Sequence, residues 1–298
     1  PLMKAADRRI DWQRDATATV LDKLRAADGF PGVEDELFGQ PCRLFDAWPE
    51  ATLTGAPGTL LARRENALLR ATSDGAVWIG HVRRIRPGEA PISVHNIDVE
   101  RRLASADFVK LPATLAFAAE SAALPESPLA GWWRQPAATW QDIAYEENGD
   151  VGFLHFEFYN GAMSTRQCER LREALAWARA RPTKVLVLMG GEDFWSNGIH
   201  LNVIEKAESP ADESWRNINA IDDLALDLIE NRDQITIAAV GGNTGAGGCF
   251  LARAADLMWV REGAILNPHY KNMGNLYGSE YWTYLLPRRV GWERAHAI

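Results

Sequence analysis

Cysteine is scarce: the 298 residues hold three, at Cys42, Cys168 and Cys249. That number and spacing suit neither a disulfide framework nor a tetrahedral zinc set. The six histidines show no His-Glu-x-x-His spacing, so the zinc-hydrolase helix is excluded as well. No apolar run approaches the roughly 20 residues of a membrane-spanning helix, and no segment reads as a signal peptide. A basic excess is also missing. Lys and Arg number 32 against 40 Asp and Glu, a formal charge of −8, whereas a nucleic-acid surface needs clustered Lys and Arg. The pairs Arg63-Arg64 and Arg83-Arg84 read as solvated faces, with contact to a phosphorylated cofactor as the alternative. These absences lead to an expected reducing, cytoplasmic setting, without metal, membrane or nucleic-acid partner.

What is present is a folded composition, 47% hydrophobic and 24% charged. The length exceeds one ordinary core, so two domains are expected. Pro1 as first residue and a helical pattern running from Val290 to Ile298 read as a piece truncated at both ends. Apolar residues at helical spacing (Ala16, Val20, Leu24, Ala27) predict a helix over 15–27, stopped by Gly29, Pro31 and Gly32. From Cys42 to Ile85 the pattern becomes short strands, at 43–45, 58–63, 67–71 and 76–82, with Ser73-Asp74-Gly75 as a hairpin signal. Such a run predicts a small β-barrel. Residues 87–136, with Pro at 87, 91, 112, 125, 128 and 136, read as a linker with helical pieces. Strands at 151–158, 184–189, 235–240 and 256–260 then alternate with helices at 165–179, 214–230 and 245–254, an α/β signature with at least part of the sheet parallel.

The strongest local signal is Gly241-Gly242-Asn243-Thr244-Gly245-Ala246-Gly247-Gly248-Cys249-Phe250, placed after an apolar strand and opening a helix. Glycines let a ligand approach the backbone, and a helix N-terminus offers unsatisfied N–H groups to a phosphate or a developing oxyanion. The spacing is neither Gly-x-Gly-x-x-Gly nor that of a P-loop. A second glycine turn, Phe194-Trp195-Ser196-Asn197-Gly198-Ile199-His200-Leu201, follows the strand at 184–189. Further on come His269, Tyr270, Lys271, Asn272, Tyr277, Ser279, Glu280, Tyr281, Trp282 and Tyr284. Tyr281, Trp282 and Tyr284 are expected to pack in the core. Glu280 reads either as an exposed acid opening a helix or as a catalytic group, and His269 either as a satisfied buried histidine or as an assistant.

The order strand, Phe194-x-x-x-Gly198-x-x-Leu201, long helix, Ala238-Ala239-Val240-x-Gly242, Gly245-Ala246-Gly247-Gly248-Cys249, Ala254-x-Asp256 resembles the crotonase (enoyl-CoA hydratase/isomerase) superfamily from about residue 148 onward. The resemblance implies a ββα-spiral domain that binds acyl-CoA and polarises its thioester carbonyl with the N–H groups of Ile199 and Gly247. It further implies coenzyme A contacts from Asn160, Gly161, Ala162, Met163, Asn197, Gly198 and Gly248. The hydratase pattern has a Glu directly after Gly-Gly-Cys, where this chain has Phe250, and a Glu in the Gln-Pro-Glu context, where it has His269. With both carboxylates gone the water-adding chemistry is disfavoured. Residues 1–112, with Ala6-Asp7-Arg8-Arg9-Ile10-Asp11-Trp12 at their head, resemble the end of a formyltransferase catalytic domain followed by the OB-like C-terminal domain of methionyl-tRNA formyltransferases. That family's catalytic set lies upstream of this chain.

One family joins the two modules in this order, the HypX/HoxX hydrogenase maturation factors, and the run Gly278-Ser279-Glu280-Tyr281-Trp282-Thr283-Tyr284 is similar to its signature. The expected fold is α/β plus β: residues 1–40 as the end of the formyltransferase catalytic domain and a connecting helix, 41–112 as the OB-like barrel, 113–147 as linker, and 148–298 as the crotonase-type domain. The resemblance implies a lyase-type decarbonylation of formyl-CoA to carbon monoxide and CoA, supplied from formyl-tetrahydrofolate at a domain upstream. The partners it implies are an acyl-CoA and NiFe-hydrogenase maturation proteins. Glu280 is the base candidate, with Tyr277 or His269 assisting. Open alternatives are an acyl-CoA hydrolase or isomerase, and a CoA-binding module without catalysis.

Overall fold

The strand-and-turn pattern of the first third closes into one antiparallel sheet in a computed structural model that describes residues 4–89, 106–268 and 278–297. The chain divides into two compact units, one reaching to Ala130 and including Gln135–Gln141, the other comprising Gly131–Arg134 and everything from Asp142. In the first unit β1 (Val33–Leu37), β2 (Gln40–Glu50), β3 (Leu60–Arg64), β4 (Ala67–Ala71) and β5 (Ala76–Arg84) lie in the order β1-β2-β5-β4-β3, with β6 (Leu111–Pro112) on β5. The expected hairpin forms: Ala71 pairs with Ala76, and the N–H of Thr72 donates to the Gly75 carbonyl at 2.9 Å. Helix α1 (Thr17–Arg25) buries Val20, Leu21 and Leu24 against Leu44, Val77, Ile79 and Val82. Strand β1 is unforeseen, because Val33-Glu34-Asp35-Glu36-Leu37 has two apolar ends around three acids, and pairing with β2 decides it.

The stretch expected as a linker at 113–147 is divided between the units. Helices α2 (Ala113–Ala116) and α3 (Ala118–Ser121) belong to the first. Arg64, buried over the Trp78 ring, donates to the carbonyls of Ser127 and Trp140, which fastens those two residues to the sheet. Ile143–Asn148 is instead β7, the edge strand of the second unit, paired antiparallel with β8 (Val151–Phe156).

In the second unit the central sheet runs β15-β13-β10-β8-β7, with β10 (Val185–Met189), β13 (Ile235–Val240) and β15 (Leu257–Val260) parallel to β8. Helices α4 (Thr165–Arg179) and α6 (Pro210–Ile229), separated in the chain by the short α5 (Leu201–Lys206), set Leu171, Leu175, Ile221, Leu224 and Leu228 on it. α4 begins where expected because Ser164 and Gln167 form a reciprocal capping box: the Ser164 hydroxyl accepts from the Gln167 N–H, and the Gln167 side-chain Oε1 accepts from the Ser164 N–H. Buried Arg170 on α4 grips Asp142 with two bonds of 2.6 and 3.0 Å. Five further pieces were not foreseen as strands. They are β9 (Ala162–Met163) paired with β12 (Gly198–Ile199), and β11 (Phe194–Ser196) next to β14 (Asn243–Gly245), which pairs with β16 (Leu266–Asn267).

Two expectations near the end of the chain are corrected. α8 (Trp282–Val290) stops at Gly291, φ 82°, and α9 (Trp292–Ala297) follows, so Val290 closes one helix rather than opening the next. Tyr281 and Tyr284 are 37% and 46% exposed, because the helix presents Leu285 to the core; neither is the core residue expected. No helix among the described residues is long and apolar enough to cross a membrane.

Candidate functional site

The short strand pairs bring the glycine turns together. β12 lies beside β9, with Gly198 opposite Ala162 and Ile199 opposite Met163. β14 lies beside β11, and the chain leaves it into helix α7 (Gly247–Ala254). A methyl group on Gly198, φ 76°, would come within 3.1 Å of the Gly247 nitrogen, and one on Gly248 within 2.1 Å of the Ser196 carbonyl oxygen. Side chains are excluded at both positions, so backbone meets backbone. α7 therefore starts at Gly247 rather than at Gly245 as expected, because Asn243–Gly245 is taken up as strand.

Between strand and helix stands Ala246, at φ 45° and ψ −127°. An L side chain rarely takes such a backbone, and the surroundings must hold it there. Its N–H donates to the Asn267 carbonyl at 2.9 Å, and its own carbonyl accepts from the Cys249 N–H at 3.1 Å. Burial pushes the Cys249 thiol above its ordinary value, while Thr244 accepts a hydrogen bond from it. This sulfur rests as a thiol, not as a nucleophilic thiolate.

Asn197 ties the upstream loop to this centre. Its side-chain amide donates to the Asn160 carbonyl at 2.7 Å and its N–H to the Gly161 carbonyl at 2.7 Å. Asn160 takes a left-handed φ of 53° and is exposed; Ala162 is half-buried. Met163, which the resemblance put among the coenzyme A contacts, has its side chain wholly in the core, where its sulfur accepts from the Ser196 hydroxyl at 3.3 Å. Gly161 and Gly248 are likewise buried. Of that set, Asn160 is exposed and Ala162 and Asn197 are half-buried.

Glu280 is not the exposed acid that was one of its two readings. It is 2% exposed, and a methyl group on Gly247 would meet its Oε1 at 2.1 Å and its Oε2 at 2.8 Å. A carboxyl group thus stands against the first residue of α7. Phe250, in the place of the hydratase acid, is 5% exposed and packs on Trp282 of α8 with ring centroids 6.3 Å apart. His269 and Tyr277 lie outside the described residues, as do Tyr270, Lys271 and Asn272.

Sequence reasoning missed three contributors. Ser196, buried, accepts the Gly198 N–H at 3.1 Å. Asn217 on α6 donates to the Met163 carbonyl at 3.0 Å and accepts the His200 N–H at 3.3 Å. Asp222, also on α6, accepts the Glu280 N–H at 2.6 Å. Asn217 had a signal, since it falls on the buried stripe of Ile221, Leu224 and Leu228, where a polar residue needs a partner. Asp222 had none, because its partner is 58 residues away; Ser196 stands inside the glycine turn itself, but its burial against the Met163 sulfur comes from a strand 33 residues upstream. Among the described residues no group of acidic, His and Cys side chains forms a metal site.

Both units are similar to known proteins. Residues 156–298 match the enoyl-CoA hydratase/isomerase family, and residues 2–97 the formyl transferase C-terminal domain. The chain is 54% identical over 295 residues to the hydrogenase maturation factor HoxX of Bradyrhizobium diazoefficiens, covering 99% of this chain and 47% of that protein. It superposes on HypX from Aquifex aeolicus in complex with tetrahydrofolic acid with a TM-score of 0.89 and 48% identity, covering 99% of this chain and 49% of that one. The methionyl-tRNA formyltransferase of Variovorax paradoxus is 33% identical over 106 residues, 35% of this chain and 29% of that protein. The chain thus spans about half the length of HoxX and HypX.

Proposed function

The chain belongs to the HypX/HoxX family of hydrogenase maturation factors, and from that premise we propose that its second unit binds formyl-CoA and breaks it into carbon monoxide and CoA. The observation that carries the reading is the buried Glu280 carboxyl against Gly247, at a site where Phe250 has removed the hydratase acid. The acyl group of formyl-CoA has no α-carbon and no carbon–carbon double bond, so it gives a pair of water-activating glutamates nothing to do.

In this reading the thioester oxygen sits between the N–H groups of Ile199 and Gly247. Donors of this kind stabilise charge that develops on oxygen, each by roughly 3–4 kcal/mol. Glu280 takes the formyl hydrogen as a proton. The electron pair left on carbon becomes the lone pair of carbon monoxide, and the C–S pair leaves with sulfur as a thiolate. Glu280 returns the proton to that sulfur, so atoms and charge balance without an oxidant. Asn160, Ala162, Asn197 and Gly198 would hold the coenzyme, at the rim where Asn160 is exposed. Formyl transfer from formyl-tetrahydrofolate is assigned to no residue of this chain. The carbon monoxide would serve the NiFe site of a hydrogenase, and the maturation proteins of that enzyme would be the partners.

The test is release of carbon monoxide from formyl-CoA by the full-length protein, trapped by reduced haemoglobin. Enzyme-dependent carbon monoxide with stoichiometric CoA supports the proposal. Formate and CoA without carbon monoxide would make it a hydrolase, preferential turnover of crotonyl-CoA an isomerase or hydratase-like enzyme, and CoA binding without turnover a non-catalytic module. A fully active Glu280→Gln variant at saturating substrate would remove Glu280 from the base role.

A further inference from the structure

Glu280 and Tyr281 follow one another at φ 49° and φ 57°. Two consecutive side-chain-bearing residues in the left-handed region are unfavourable, and such pairs persist only where neighbours over-determine them. The described contacts show what does so. The Glu280 N–H donates to Asp222 Oδ1 at 2.6 Å, and the Ser279 hydroxyl also bonds to the Asp222 carboxyl. Past the pair, the N–H groups of Tyr284 and Leu285 both reach back to the Tyr281 carbonyl at 2.9 Å, which starts α8 at once.

Asp222 is itself fixed. It lies in the 20-residue helix α6, next to Ile221 and two residues before Leu224, both fully in the core. Five residues earlier in the same helix, Asn217 holds the β9–β12 pair through Met163 and His200. One rigid helix thus grips the Gly198–Ile199 strand at one point and the backbone of Glu280 at another. Burial raises the Asp222 carboxyl above its ordinary value, so the two donors compensate a group that has lost water.

We propose that Asp222 is the positioning residue for Glu280, fixing the left-handed Glu280–Tyr281 pair so that the Glu280 carboxyl stands at Gly247. The proposal rests on the reading of Glu280 as the base. It requires an acceptor oxygen at the Asp222 Oδ1 position rather than a negative charge. Asp222→Asn keeps such an acceptor and Asp222→Ala does not.

The experiment measures kcat and KM for carbon monoxide release from formyl-CoA in the full-length protein, with Asp222→Ala, Asp222→Asn, Glu280→Gln and the Asp222→Ala/Glu280→Gln double variant. Loss of the tether displaces the carboxyl by about 1 Å, so kcat of Asp222→Ala is expected to fall roughly 100-fold. KM should stay within about threefold, because Ile199 and Gly247 still bind the thioester. Asp222→Asn should recover most of the rate, and the alanine substitution should cost nothing further in the Glu280→Gln background. A residue that merely stabilised the fold would lower both backgrounds alike. Should the alanine variant fail to fold, Asp222→Glu carries the same comparison, since it keeps the carboxylate but moves it by one methylene. Multiplicative losses in the double variant, or no rescue by Asn, would overturn the proposal for Asp222 alone. An unimpaired Glu280→Gln enzyme would instead overturn the reading beneath it.

Discussion

Replacing Gly248 with alanine tests the backbone-to-backbone seat of α7. The added methyl would lie 2.1 Å from the Ser196 oxygen and 2.5 Å from its carbonyl carbon, where a carbon and an oxygen normally keep about 3.3 Å or more. Ser196 is fully buried in β11 and has no room to retreat, so the first turn of α7 must move by about 1 Å. Overpacking of this kind costs about 1–3 kcal/mol. A protein with the usual 5–15 kcal/mol of stability stays folded, and its thermal midpoint falls by several degrees. The same shift carries the Gly247 N–H away from its position beside Gly198, and a misplacement near 1 Å costs roughly 100-fold in rate. The assays are thermal unfolding by circular dichroism and carbon monoxide release from formyl-CoA. Gly241→Ala is the control: nothing lies within 4 Å of its added methyl, so it should be silent in both. A Gly248→Ala protein with wild-type rate and midpoint would refute the packing argument, since the helix would then have accommodated a methyl group where none fits.

Three more outcomes follow from the same physics. Phe250→Glu should not create a hydratase. It removes an aromatic side chain packed on Trp282, a loss of about 3–5 kcal/mol even before a carboxylate is buried, visible as a lower urea midpoint with no hydration of crotonyl-CoA. Asp142→Asn removes the carboxylate charge that buried Arg170 grips with two bonds, and the urea midpoint should drop by the equivalent of about 3–5 kcal/mol. Lys110, held down to about 8 from its ordinary 10.5 by burial, with Asp28 and Asp46 pulling the other way, makes stability depend on pH. Its folded value lies below its unfolded one, so across that window the unfolded chain binds the extra proton and stability rises with pH. Subtracting the unfolding midpoint of Lys110→Met from that of the wild type should leave a difference that grows through the window; a flat difference would contradict the burial of the ammonium.

Much of this architecture could be read from local signals. The helix expected at 165–179, the strand expected at 235–240 and the Ser73-Asp74-Gly75 turn between β4 and β5 all stand where the sequence put them, because each is favoured by residues close together in the chain. The glycines at 198, 245, 247 and 248 also announced a place where backbones approach, since no other residue leaves that space. Other features carried no such mark. β9, β11, β12, β14 and β16 are two or three residues long and exist only through partners far away in sequence, so no periodicity could disclose them. Ala246, Glu280 and Tyr281 are not residue types that favour a left-handed backbone, and their positive φ is imposed by the elements around them. The resemblance pointed to Glu280, yet its burial against Gly247 and its tether to Asp222 on α6 required the fold. The two modules, the glycine turns and the missing hydratase carboxylates were legible because each is written in consecutive residues. The place of the Glu280 carboxyl came from the fold, because a buried acid 58 residues from its partner is placed by packing and hydrogen bonding across the core.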